Sequence, residues 1–331
     1  MAVTRTVGIV SDIHFAGAAE RQRGNDYEFR AVENPVLRNL VRLHRRFLWL
    51  REPLNQNHLL DRFLAQSSAF DIVVANGDYS CNTGFVGVSD EAARQSAIEC
   101  LEKLRRTFNG RLQCTIGDHE LGKTSFVGGR GGMRLESWRR VREDLGLPGF
   151  WKLEVGRYLL LGVVSSLIAL PVYEPDTLPQ ERAEWEKLRA SHLAEIQKTF
   201  VELRRDQKVL LFCHDPTALP FLWREEVVRA RLEQIEQTII GHLHSNLILR
   251  QSRILSGMPR IAWLGHTATR LSSALSEARH WRPFKVRLCP ALAGIELLKD
   301  GGYLTAKLDL EAAQPAQFQF HPVPRAKGTP A

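Results

Sequence analysis

Short apolar runs recur along the chain, and each stops at a polar cluster. Val7–Ser11 stops at Asp12 and His14, and Ile72–Ala75 at Gly77-Asp78. Leu112–Ile116 stops at Gly117-Asp118-His119-Glu120. Val209–Cys213 stops at His214-Asp215-Pro216, and Thr238–Ile240 at Gly241-His242-Leu243-His244. Apolar runs of this length predict sheet strands. Such strands deliver Asp or His at their C-terminal ends, where open α/β sheets place their ligands. Helix-period segments lie between them. Glu91–Arg106 repeats Ala92, Ala93, Ile98, Leu101 and Leu104, and Glu181–Arg205 repeats Trp185, Leu188, His192, Ile196 and Phe200. Trp151–Ser165 predicts two strands turning at Gly156-Arg157. Ala262–Leu264, Ile295–Leu298 and Leu304–Leu308 predict further strands.

Alternating strands and helices predict an α/β fold. The polar clusters run from position 12 to 244, so they must converge in one fold. The expectation is a domain over residues 1–310 with a helical insert at about 30–65, then a flexible Pro- and Ala-containing tail over 311–331.

Composition adds limits. The chain has 331 residues, 44% hydrophobic and 25% charged, which allows a sizeable core. A net charge of +8 favours anionic partners such as phosphoesters, nucleic acid or an acidic membrane surface, and equally describes a solvated basic surface. Cys81, Cys100, Cys114, Cys213 and Cys289 are odd in number, scattered and without a CxxC pair. That argues against a disulfide framework and for a reducing compartment. Met1–Thr6 lacks a signal-peptide layout, and no apolar stretch approaches the roughly 20 residues that span a bilayer. The expected location is cytoplasmic, with contact at the inner membrane face as an option. No obligate protein partner is evident.

A single Asp-x-His is weak, since an Asp near a strand end usually marks a turn or cap. Asp12 with His14, and His242 with His244, have strand spacing, so each pair would face one side and grip one ion. Gly241 would let the backbone approach a ligand closely. The coincidence of five clusters outweighs the bland reading. Three carboxylates and four imidazoles without thiolate suit Mn²⁺ first, with Fe²⁺ or Zn²⁺ as alternatives. Seven ligands exceed one open site and suit two ions sharing a carboxylate.

The ordered set Asp12-Ile13-His14, Gly77-Asp78, Gly117-Asp118-His119-Glu120, His214, Gly241-His242-Leu243-His244 resembles the calcineurin-like metallophosphoesterases, over about residues 5 to 310. The resemblance implies a four-layer sandwich of two mixed β-sheets flanked by helices, with a dimetal site at the strand C-terminal ends. It implies Asp12, His14, Asp78 and His244 on one ion, and Asp78, Asp118, His214 and His242 on the other, with Asp78 bridging. His119 would then be the general acid or stabilise the phosphoryl group, and a metal-bridging hydroxide would attack. Glu120 has two readings, as an orienter of His119 or as a helix cap. The family usually has Gly-Asn-His where this chain has Gly117-Asp118-His119; the carboxylate can still ligate, and it adds negative charge.

Substrate choice is less legible. Val36–Leu50 interleaves apolar residues with Arg38, Arg42, Arg45 and Arg46 and predicts a basic amphipathic helix. Either its apolar face packs on the core, or it is a lid or membrane-surface helix beside the active site, with Phe47 and Trp49 towards a lipid and Arg42 and Arg46 towards its anionic head group. The glycine-rich Gly128–Arg134 offers Arg130 and Arg134 as phosphate-holding candidates, or is a plain surface loop. Phe212, Trp223 and Trp263 read as core or pocket-wall residues. A basic chain with an apolar insert is similar to the UDP-2,3-diacylglucosamine hydrolases of lipid A synthesis, implying a lipid-bearing nucleotide diphosphate. A soluble phosphodiesterase, a phosphomonoesterase or a nuclease is the alternative. A non-catalytic scaffold is the reading from another class, and the complete ligand set with His119 argues against it.

Overall fold

The apolar runs become the central strands of two sheets. In the computed structural model, which describes residues 3–125, 130–261, 263 and 266–325, β1 (Thr4–Val10), β2 (Ile72–Asn76) and β3 (Leu112–Thr115) run parallel in the first sheet. In the second, β4 (Phe150–Val155) is antiparallel to β5 (Tyr158–Val163). β6 (Lys208–Cys213), β7 (Ile235–Ile240) and β8 (Val286–Leu288) continue parallel to β5. β9 (Gly302–Asp309) and β10 (Gln317–Pro322) return to the first sheet, β9 antiparallel to β1 and β10 antiparallel to β9. The strand orders are β10-β9-β1-β2-β3 and β4-β5-β6-β7-β8.

Strand periodicity explains the layering. Successive side chains of a strand point to opposite faces. Along β5 every residue is buried. Tyr158 and Leu160 join an apolar cluster with Leu210 and Phe212 of their own sheet and Val7, Ile9 and Val74 of the other. The two sheets therefore pack face to face. Leu159 and Leu161 join a second cluster with Trp185, Ile196 and Phe200 of helix Arg182–Glu202. Val73 and Ala75 of β2 join that cluster with Ala97, Leu101 and Leu104 of helix Glu91–Phe108. Strands with apolar neighbours on both faces read as continuous apolar runs, which is why they stood out in the sequence.

Register brings the polar clusters to one edge. Val10 pairs with Ala75, and beyond it the N–H groups of Asp12 and His14 donate to the carbonyls of Gly77 and Asp78 at 3.2 and 3.0 Å. The sheets meet at the same edge, where the His242 N–H donates to Asp12 Oδ1 at 2.9 Å and Ser11 bridges to Ala291.

Several expectations need correction. Ile295–Leu298 is no strand. The chain turns there, with Asp300 Oδ1 accepting the Ile295 N–H at 3.1 Å, and Leu297 and Leu298 are exposed. Ala262 and Leu264 lie outside the described residues, and Trp263 between them is 82% exposed in a turn, so it is not a core residue. Val36–Leu50 is not one regular helix: helix Pro35–His44 passes into a π turn, Arg45–Trp49. Within the segment expected to be a flexible tail, Gln317–Pro322 forms β10, paired along β9. Phe212 is fully buried, and Trp223 packs partly buried against the core.

His192 is a core histidine. Its Nε2 accepts the Val164 N–H at 3.0 Å, and burial pushes its pKa down to about 3. An unfolded imidazole titrates near about 6.5. Because the folded value is depressed, this contribution to stability is whole above about 6.5 and is lost as pH falls towards about 3. Urea unfolding at pH 7 and pH 5 should differ by on the order of 2 kcal/mol from this group. His192→Gln should remove that part of the difference, and an unchanged difference would show that the histidine does not carry it.

Candidate metal centre

The seven predicted ligands lie just past their strands, Asp118 at the start of the short helix Asp118–Leu121 and the others in loops. Asp12, His14, Asp78, His242 and His244 all have positive φ, between 49° and 60°. The i,i+2 pairs therefore share a direction through alternating loop geometry, and not through the strand pleat expected above. Left-handed backbone at bulky residues is held only where the surroundings over-determine it. Here the His242 N–H donates to Asp12 Oδ1 at 2.9 Å, and the Leu243 and Ser245 N–H groups close tight turns on Gly241 O and Leu243 O at 2.6 Å each. Gly241 is required by close approach: a Cβ there would lie 2.4 Å from Asp12 Oδ2.

The loops converge on one cluster. His244 Nε2 lies 3.3 Å from Asp12 Oδ1 and 3.3 Å from His14 Nε2. His214 Nε2 lies 3.2 Å from both Asp78 Oδ2 and Asp118 Oδ1, and His242 Nδ1 lies 2.9 Å from Asp118 Oδ1. Ligand atoms of Asp12, His14 and His244 can meet around one point, and those of Asp118, His214 and His242 around another. Asp78 groups with His14 and His119 on one side and with Asp12 and His214 on the other. The structure thus brings together all seven residues read from the sequence.

The donor set fits divalent cations. Asp12, Asp78 and Asp118 are buried side by side. Asp78 Oδ2, Asp118 Oδ2 and His214 Nε2 are buried without a hydrogen-bond partner. Orphaned buried carboxylate oxygens are costly unless a cation meets them. Backbone carbonyls orient two of the imidazoles: His214 Nδ1 is 2.5 Å from Asn76 O, and His14 Nδ1 is 3.4 Å from Ser80 O. A proton held at Nδ1 leaves Nε2 open to a cation. All five cysteines are free and buried, outside these groups.

Charge pulls the ionisable groups apart. Burial raises Asp78, as does Asp118, but His119 and His214 outweigh both and hold its carboxyl below the usual range. Burial raises Asp118, yet His242 and Lys123 hold it low. Burial lowers His242, but Asp215 and Asp118 lift it to about 9. His119 is pushed down to about 3, mainly by burial.

His119 and Glu120 play different parts. His119 Nδ1 faces Ser80 O at 2.9 Å, and its Nε2 lies 3.7 Å from Asp78 Oδ2. That nitrogen is met by Lys123 Nζ. Glu120 makes none of the hydrogen bonds seen to the His119 ring. It accepts N–H groups of Tyr79 at 2.8 Å, Gly117 at 2.9 Å and Asp78 at 3.0 Å, clasping two ligand loops together. Of the two sequence readings the cap is the observed one, extended by the tie to Asp78 and Tyr79.

The substrate candidates divide. Trp49 lies against His244 with ring centroids 4.7 Å apart and the rings tilted by 33°. Phe47 and Arg46 are exposed on the adjoining turn, and Arg42 pairs with Asp26 at 2.8 Å. Arg130 is exposed. Arg134 is turned away to backbone carbonyls, donating to Met133 O and Gly131 O at 2.9 Å and Asp176 O at 3.3 Å, so it is not a free phosphate ligand. Gly128 and Gly129 lie outside the described residues. Sequence reasoning missed Lys123, whose only signal was its place four residues after His119, and Asp215 with Tyr173, whose hydroxyl donates to Asp215 Oδ2 behind His242.

The sequence model of a family described as calcineurin-like phosphoesterase matches residues 5–246. No curated protein sequence matches the chain. Solved structures of similar fold include a purple acid phosphatase from yellow lupin, 12% identical with a TM-score of 0.36, covering 74% of this chain and 38% of that one. A dimetal phosphatase from Danio rerio is 14% identical with a TM-score of 0.45, covering 92% of each chain. A phosphopantetheinyl hydrolase from Mycobacterium tuberculosis is 15% identical with a TM-score of 0.33, covering 74% of this chain and 84% of that one. The chain spans well under half the length of the lupin enzyme.

Glu120→Ala would strip three buried N–H groups of their acceptor. Each costs about 1–3 kcal/mol when left unpaired, so destabilisation of about 3 kcal/mol or more is expected. Glu120→Gln, which keeps an acceptor oxygen, should lose less. Denaturant unfolding of both variants checks this, and equal losses would contradict the clasp.

Proposed function

This chain belongs to the calcineurin-like phosphoesterase family, whose members hydrolyse phosphoesters with a dinuclear divalent metal centre, and from that premise we propose its ligands, its acid and its substrate class. The observation that carries the reading is the two Asp/His groups, Asp12 with His14 and His244 and Asp118 with His214 and His242, with Asp78 grouped with His14 and with His214. Asp12, His14, Asp78 and His244 would hold one ion, and Asp78, Asp118, His214 and His242 the other. The oxygen and nitrogen donors favour Mn²⁺, with Fe²⁺ or Zn²⁺ next. When bound, two such ions supply Lewis-acid charge at the phosphoryl oxygens and acidify water for attack. His119, held at Nδ1 by Ser80 O, presents Nε2 towards the same cluster. In this reading an anionic phosphoryl group beside it raises its pKa from about 3, so that the imidazolium carries a proton to the leaving oxygen or stabilises the phosphoryl group, a contribution typically of about 10²–10⁴-fold.

We further propose an amphiphilic substrate, a lipid-bearing nucleotide diphosphate of the UDP-diacylglucosamine type. Its support is exposed apolar surface. Helix Pro35–His44 buries none of its residues, and Val36, Leu40 and Phe47 are 67%, 57% and 59% exposed. The Glu296 N–H donates to Trp49 O at 2.7 Å, which sets exposed Leu297 and Leu298 against exposed Leu48. We read these residues as an apolar ledge leading along the chain to Trp49, whose ring centroid is 4.7 Å from that of His244. Contiguous exposed apolar patches mark interaction sites. Among the described residues no helix is long and apolar enough to cross a membrane, so contact would be peripheral. A nuclease or other soluble phosphodiesterase would leave the ledge without a role.

His119→Ala should lower kcat by about 10²–10⁴-fold with metal content near normal. Asp78→Ala should lose both metals and activity. Elemental analysis alongside a bis-p-nitrophenyl phosphate assay checks both; loss of metal from His119→Ala would make it a ligand.

Replacing Phe47, Leu48 and Trp49 together by Ser should raise KM for UDP-diacylglucosamine and spare hydrolysis of the small diester. Equal losses on the two substrates, with a lower Tm, would point instead to a packing role.

A further inference from the structure

Lys123 is the residue at this site that the reading above leaves unused. It follows the short helix Asp118–Leu121 through Gly122, whose φ is +104°. Its N–H is fixed to Phe85 O at 3.0 Å, and its neighbour Thr124 bridges to Gly131. The backbone is therefore held on both sides of the residue. Its ammonium meets His119 Nε2 and stands 3.8 Å from Asp118 Oδ2, while the side chain stays 26% exposed. It reaches from the mouth of the site to the nitrogen that faces Asp78. Among the described residues no other Lys or Arg ion pair reaches Asp12, Asp78 or Asp118. Nearby arginines are engaged elsewhere: Arg45 with Glu28 at 3.2 Å, Arg270 with Asp176 at 2.7 Å, and Arg134 with carbonyls.

Charge balance gives this position a task. Three buried carboxylates offset most of the charge of two divalent ions, so the loaded site draws an anionic substrate weakly. A lysine is a compact point charge on a flexible stem, suited to a phosphoryl oxygen. With its carboxylate partner occupied by an ion, the ammonium is released from Asp118 and still tethered beside His119.

We propose that Lys123 is a substrate-binding residue that holds a non-bridging phosphoryl oxygen at the mouth of the centre, next to His119. The inference rests on the two-ion reading of the preceding subsection. A competing role is that of a stand-in cation, which neutralises Asp118 only until metal arrives.

The test uses the full chain loaded with Mn²⁺, comparing wild type with Lys123→Gln and Lys123→Arg. Metal per chain and Mn²⁺ affinity are measured first, then inorganic phosphate affinity by calorimetry. Lys123→Gln should weaken phosphate binding about ten- to hundredfold, the worth of one charge-assisted hydrogen bond. Mn²⁺ affinity should stay within a fewfold of wild type, and Lys123→Arg should recover most of the phosphate affinity. Tighter Mn²⁺ binding with unchanged phosphate affinity in Lys123→Gln would overturn the proposal in favour of the stand-in cation. Wild-type protein that takes up no metal would overturn the two-ion reading itself, and this inference with it.

Discussion

The burial of three carboxylates in one place constrains the rest of this structure. Asp12, Asp78 and Asp118 are shut away from water among four imidazoles, and Asp78 and Asp118 each keep an oxygen with no donor. Such charge is tolerated only where cations and hydrogen bonds surround it. The loops, the glycines and the second layer of hydrogen bonds all serve that arrangement. Glu120 extends it, since a fourth buried carboxylate, lifted to about 8 mainly by burial, clasps the loops of Asp78 and Gly117.

Stability and chemistry meet in the backbone of those loops. Five of the seven candidate ligands adopt positive φ, a conformation that L-residues avoid. The face-to-face packing of the two sheets supplies the rigidity that keeps them there. Phe212, Ile9 and Leu160 share one apolar layer, so the ends of β1 and β6 cannot move independently. A centre built from both sheets gains precision from the same packing that stabilises the fold.

The approach to the centre is asymmetric. One side carries the apolar ledge from helix Pro35–His44 to Trp49, which leans on His244. On another, Lys123 stands beside His119 and Asp118.

The pattern of apolar runs ending in Asp or His was enough to locate the central strands, the seven candidate ligands and the family resemblance. Strands buried on both faces leave that pattern because local sequence and burial agree. The same reasoning failed at Ile295–Leu298, where three apolar residues and Glu296 form a turn anchored by Asp300, and at the Asp-x-His spacing, where loop geometry replaced the pleat. It left the amphipathic stretch after Val36 undecided, because periodicity shows that a helix has an apolar face and not whether anything covers it. Only the tertiary structure showed that face open, joined Gln317–Pro322 to β9, and set Lys123 against His119. Each of these depends on which distant segments meet, and such contacts leave no periodicity in the local sequence.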